Sequence, residues 1–261
     1  MTIDDLPDPR ALLAETDWSA LDAMWAGPYH PLDPATATPD ALAALVSGDR
    51  DAVTAALNHL SDDLRHQGSL YDATGPAARY VAALLADPGS RRALAPAWEA
   101  GRRPLRAKLL DWLAGVAHAV SDAGEEQARE FGHPDPASTP RFREIRALRP
   151  ALFQGVSACL DDEHPTVHHA ALAASIPLLD DPALRHHRTA LAPQVRRELA
   201  TCADQDHRFA AICGLRAWGA DTTTLDAHAE LAEHERRQEE WERGRRGQGI
   251  SHDGRFDEPP F

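Results

Sequence analysis

Residues 160–179, LDDEHPTVHHAALAASIPLL, constrain the fold more than any other stretch of the chain. On a helical repeat Val167, Ala170, Ala171, Ala174 and Leu178 share one face, and Leu172, Ile176 and Leu179 share a second. A helix at the edge of a domain needs one apolar face. Two apolar faces demand neighbours on both sides, as in the middle of a stacked helical array. Pro165 suits the first helical turn, and Asp161, Asp162 and Glu163 before it complement the positive end of the helix dipole.

The remaining sequence is compatible with such an array. At 261 residues the chain is long enough to bury a substantial core, as one elongated domain or two small ones. Ala and Leu dominate an apolar content of 43%, and β-branched runs are missing, so helices are favoured over strands. The formal net charge of -14 repels a phosphate backbone and argues against nucleic acid as a partner. Lys108 is the only lysine, and arginine carries the remaining positive charge beside abundant Ala, Asp and Pro. That bias points to a G+C-rich bacterial genome of actinobacterial type. Cys159, Cys202 and Cys213 have no metal-site spacing and read as reduced, buried thiols. The acidic N-terminus lacks the pattern of a signal peptide, and no segment is long enough to span a bilayer, so a cytoplasmic location is expected.

Taken in order, Leu12, Leu13, Trp18, Leu21, Met24 and Trp25 predict an N-terminal helical cap. Thr38 and Pro39 open a helix over 40–46, and Val53, Leu57, Leu60 and Leu64 stripe the next, which completes a hairpin. A helix from Pro76 to about Asp87 follows, then a weaker one through Leu94 and Trp98. Leu105, Leu109, Trp112, Leu113, Val116 and Val120 mark the buried face of a strong helix begun by Pro104. Residues 121–140 lose the pattern and read as an inserted loop with a short helix near Glu125–Phe131. One long helix is predicted from Ile145 to Leu160, and another, bent at Pro193, from Leu184 to Leu199. Asp204–Trp218 repeats the opening element at an offset of about 42 residues, pairing Asp162 with Asp204 and Val167 with Phe209. Residues 1–225 thus form the array, and 226–261 a charged helix with a flexible tail.

The segments DWSALDAMW, LVSGDRDAVTAALNHL, HQGSLYDATGPAARYVAALL and LDDEHPTVHHAALAASIPLL resemble the HEAT-repeat proteins common in actinobacteria, over residues 17–218. The resemblance implies an all-α, right-handed α-solenoid of HEAT-like antiparallel helix pairs with a concave inner surface. It carries over no catalytic residue and no cofactor. Residues 86–147 depart from the pattern, which leaves repeat number and curvature open.

Two groups are candidate partner-binding residues. His66, Gln67, Tyr71 and Thr74, with Gly68, read as a recognition loop, or as a structural corner with Gly68 left-handed and Tyr71 and Thr74 bonded to backbone. His168, His169 and Arg208 lie off the core stripes and face the groove if their helices line it; the alternative is an ordinary solvated face. His164, His168, His186 and His187 raise the question of metal, which no paired cysteine or HExxH supports. Asp111 and Trp112 match the acid and aromatic residues of HEAT-like DNA-base glycosylases, but Trp112 falls on the core stripe. The expected function is a non-catalytic protein-binding adaptor, with an immunity protein that neutralises a basic toxin or effector as one form. A DNA-base glycosylase or nucleic-acid-binding protein is the alternative.

Overall fold

The computed structural model describes residues 6–24, 26–27, 30–31, 33–90, 103–130, 136–200, 202–223, 225 and 236. Among them the chain is all-helical apart from a two-residue antiparallel ribbon, Ala26–Gly27 with His30–Pro31. The helices are α1 (Pro9–Glu15), α2 (Pro34–Ala44), α3 (Arg50–Asn58), α4 (Thr74–Ala86), α5 (Leu105–Ala119) and α6 (Asp122–Glu130). They continue with α7 (Pro140–Ala147), α8 (Arg149–Ser157), α9 (Pro165–Leu178), α10 (Arg188–Gln194) and α11 (Gln205–Ala217). No helix among the described residues is long and apolar enough to cross a membrane.

Helix α9 is the centre. Val167, Ala170–Ile176 and Leu178 are all buried, so it is wrapped on both faces as its two stripes require. It packs on α5 and α8 and, separately, on α11; α4 in turn packs on α8 and α5. Ala-rich faces allow such close stacking because dispersion grows as backbones approach. Helix α2 packs on α3 and α4, and α1 on α4, which extends the core to the N-terminal helices. The described part of the predicted cap also buries Trp18 and Leu12.

Several predicted elements differ in detail. Helix α2 starts at Pro34, so Pro39 lies inside it and Thr38 is buried rather than being its cap. The long helix expected over 145–160 is two helices, α7 and α8, broken at Leu148. Pro150 has no N–H to donate to the Arg146 carbonyl, and the Arg149 Nε takes that oxygen instead at 3.2 Å. Pro193 lies inside α10, which continues into a π-turn, Val195–Leu199, closed by Ala200 N–H on the Val195 carbonyl. The insertion over 121–140 carries α6, which starts at Asp122. The weak helix near Leu94 and Trp98 and the charged helix after residue 225 lie outside the described residues, except for the isolated positions 225 and 236.

The helix starts give a different register between α9 and α11 from the expected one. His164 and Asp204, not Asp162 and Asp204, are the equivalent N-caps of α9 and α11, an offset of 40 residues. At that offset Val167 matches His207, Ala171 matches Ala211 and Leu172 matches Ile212, and all six are buried. Phe209, aligned with Val167 by sequence, is only half-buried. His207 thus takes a buried place that Val167 takes in α9.

Candidate functional site

The segment from Leu64 to Thr74 is a corner joining the end of α3 to α4. A π-turn, His59–Asp63, ends α3, and Gln67 (φ 49) and Gly68 (φ 83) turn the chain through the left-handed region. Gly68 adopts it freely, whereas Gln67 is strained there. Thr74 fastens the far side, accepting from Tyr71 N–H at 2.8 Å and donating to the Leu64 carbonyl at 2.6 Å. The Tyr71 hydroxyl donates to Met24 Sδ at 2.7 Å, and Asp72 and Ala73 N–H bond to Asp22. Burial, reinforced by Asp22, pushes the Tyr71 hydroxyl above its ordinary pKa. Thr74 is fully buried and is therefore part of the corner's frame, whereas Gln67 is exposed and His66 half-buried.

Beside the corner lies an open cleft of about 600 Å³ between it, α5, α6 and the start of α7. Its polar lining includes Arg65, Gln67, His118, Gln127, Thr139 and Arg141, and no carboxylate belongs to it among the described residues. Arg141 donates to the Leu70 carbonyl at 3.1 Å and pairs with Asp72 at 3.3 Å. The Arg65 guanidinium lies against α5 at Gly115, where a Cβ would stand 2.6 Å from Cζ. Its buried Nε has no hydrogen-bond partner, and burial lowers its pKa from the ordinary value.

A second polar region gathers where α5, α9 and α11 begin. Arg106 of α5 pairs with Asp162, whose carboxylate also accepts from His164 N–H at 3.0 Å. Arg103 bridges Asp111 and Asp204, so one guanidinium ties α5 to the N-cap of α11. His207 Nε2 lies 3.1 Å from Asp111 Oδ1. Burial alone would lower the pKa of His207, but hydrogen bonds to Asp111 and Cys202 and the charges of Asp111 and Asp204 outweigh it and push it up to about 9. Burial pulls the other way on Asp204, yet the His207 N–H, His207 and Arg103 keep its carboxyl below the usual range.

The histidines and arginine expected to face a groove lie along this rim. His168 links the Leu160 carbonyl to Glu198, 2.5 Å from its Nε2, and Arg208 donates to the Cys202 carbonyl. Both are half-buried and hold neighbouring turns together. His169 is half-buried too, its ring centroid 5.8 Å from that of His168; burial and the neighbouring imidazole lower its pKa. Outside the inner ion pairs, Asp161, Glu163 and Asp206 are exposed and make no ion pair among the described residues.

Sequence reasoning missed Arg65, Arg103, Arg106 and His207: the last three act through partners distant in sequence, and Arg65 lies against Gly115, fifty residues on. It also missed a buried chain in which Asp63 Oδ2 lies 2.7 Å from His59 Nδ1 and Thr38 Oγ1 lies 3.0 Å from His59 Nε2. That order matches a hydroxyl nucleophile with its base and orienter. Thr38, however, is 1% exposed and does not line the adjacent cleft, so the chain ties α2 to the end of α3. Trp112 donates from Nε1 to the Leu60 carbonyl at 2.7 Å inside the core. Among the described residues no three His, Cys, Asp or Glu side chains are grouped to hold a metal ion. His186 and His187 instead stack with ring centroids 4.0 Å apart. Comparison of the chain with family models, curated proteins and solved structures gives no significant match.

Proposed function

We propose that this protein is a non-catalytic, cytoplasmic binding module, an α-solenoid of stacked helix pairs whose acidic rim takes a basic protein. A basic toxin or effector, neutralised by this chain as an immunity protein, is the partner that fits best. The packing of α4 on α8, α5 on α9 and α9 on α11 supports the solenoid reading, since successive hairpins stack in this way. The observation that carries the binding reading is how charge is sorted on the rim. Inner carboxylates, Asp111, Asp162 and Asp204, are neutralised by Arg103, Arg106 and His207. Outer ones, Asp161, Glu163 and Asp206, are left to solvent. Within a chain of net charge -14 they steer and orient a cationic surface. His169, half-buried beside His168, is the hydrogen-bonding residue of the contact in this reading. The DNA-glycosylase alternative loses its aromatic half, because Trp112 is spent in the core.

The test is capture from a lysate of the native host by the tagged full chain at low salt, alongside a variant carrying Asp161→Asn, Glu163→Gln and Asp206→Asn. A basic protein held by the wild type and retained at least tenfold less by the variant is the expected result. Retention of no basic protein, or equal retention by both, removes this reading.

A further inference from the structure

Arg65 differs from five other buried or part-buried arginines of this protein. Arg103, Arg106, Arg146, Arg149 and Arg188 each meet a carboxylate. Arg65 meets none among the described residues, although the chain carries 41 Asp and Glu. A guanidinium drawn out of water without a counter-charge is costly, so its persistence calls for something that compensates it.

Gly115 shows that the position is built. It lies in the middle of the 15-residue helix α5, where glycine is a poor helix former, and it leaves the space that the Arg65 guanidinium occupies. Any side chain at 115 would strike Cζ, Nη1 and Nε of Arg65. The strained Gln67 turn stands at the rim of the same cleft.

We propose that this cleft is a binding site for a small molecule bearing a carboxylate or phosphate group, which pairs with the Arg65 guanidinium. Carboxylate and phosphate oxygens both match the fork of N–H donors that a guanidinium presents. Arg141, held by Asp72 and Asp22, stands at the edge of the cleft, while Gln67, His118, Gln127 and Thr139 provide neutral hydrogen-bonding groups for the rest of the molecule. A volume near 600 Å³ falls in the range of small-molecule pockets. No carboxylate lines the cleft among the described residues, which lowers the repulsion an anion meets there. This site is separate from the acidic rim, so neither proposal depends on the other.

The experiment is isothermal titration of the full-length protein with inorganic phosphate and, separately, with succinate at constant ionic strength. Saturable binding of at least one probe is expected, and the tighter one identifies the ligand chemistry. Arg65→Gln should weaken that binding at least tenfold. Gly115→Ala should weaken it to a similar degree while leaving every charge in place and without lowering the melting temperature, because alanine favours α5. That variant separates loss of the site from loss of the fold. Failure of both probes to saturate, or wild-type affinity in folded Arg65→Gln and Gly115→Ala, overturns the proposal.

Discussion

His207 has a pKa of about 9 in the folded protein against an ordinary value of 6.5, so the native state holds a proton that the unfolded chain releases in between. Its contribution to stability is complete below pH 6.5 and disappears as pH rises through about 9, with a ceiling on the order of 3 kcal/mol. Urea unfolding at pH 6, 7.5 and 9 should show this loss, and His207→Gln should flatten the difference between the first and last. An unchanged pH dependence in the variant would show that Asp111 does not hold the proton there. The two arginines beside it differ in weight. Arg106 and Asp162 have side chains only 15% and 7% exposed, so Arg106→Ala strands a buried carboxylate and should cost about 3 kcal/mol. Arg103 and its partners are about a third exposed, so screening holds Arg103→Ala to about 1 kcal/mol. Chemical denaturation of both variants should preserve that ranking.

At the scale of the helix, one substitution in two places has opposite expected signs. A Cβ at Gly155 of α8 would stand 2.3 Å from the backbone oxygen of Ala82 in α4, which no side-chain rotation can relieve. Gly155→Ala therefore separates α8 from α4 and should destabilise by about 3 kcal/mol. At Gly115 the obstructing atoms are the far end of a flexible arginine, so Gly115→Ala should be neutral or stabilising by up to about 1 kcal/mol. Thermal and urea unfolding of the pair decide it, and equal losses would contradict the packing of α4 on α8. The same logic explains the break between α7 and α8. Pro150 withdraws one donor, and the Arg149 side chain replaces it at the Arg146 carbonyl.

Across the whole molecule, a net charge of -14 repels itself, and this repulsion is screened by salt. The melting temperature should rise between 20 and 300 mM NaCl at fixed pH, while capture of a basic partner on the acidic rim should fall. A melting temperature that drops with salt would mean that surface ion pairs outweigh the repulsion. The all-helical character, the burial of α9 on both faces and the apolar face of α5 were legible in the sequence. Each depends on hydrophobic spacing along one continuous segment, which the chain writes locally. The corner at Gly68 was legible for a similar reason, since a left-handed turn has a residue signature. Tertiary structure alone decided the rest. The offset between α9 and α11, the proton on His207, the Arg106–Asp162 pair and the seating of Arg65 against Gly115 arise between residues far apart in sequence. Charge and burial at such positions depend on what another helix brings within a few ångströms, and no local pattern records that distance.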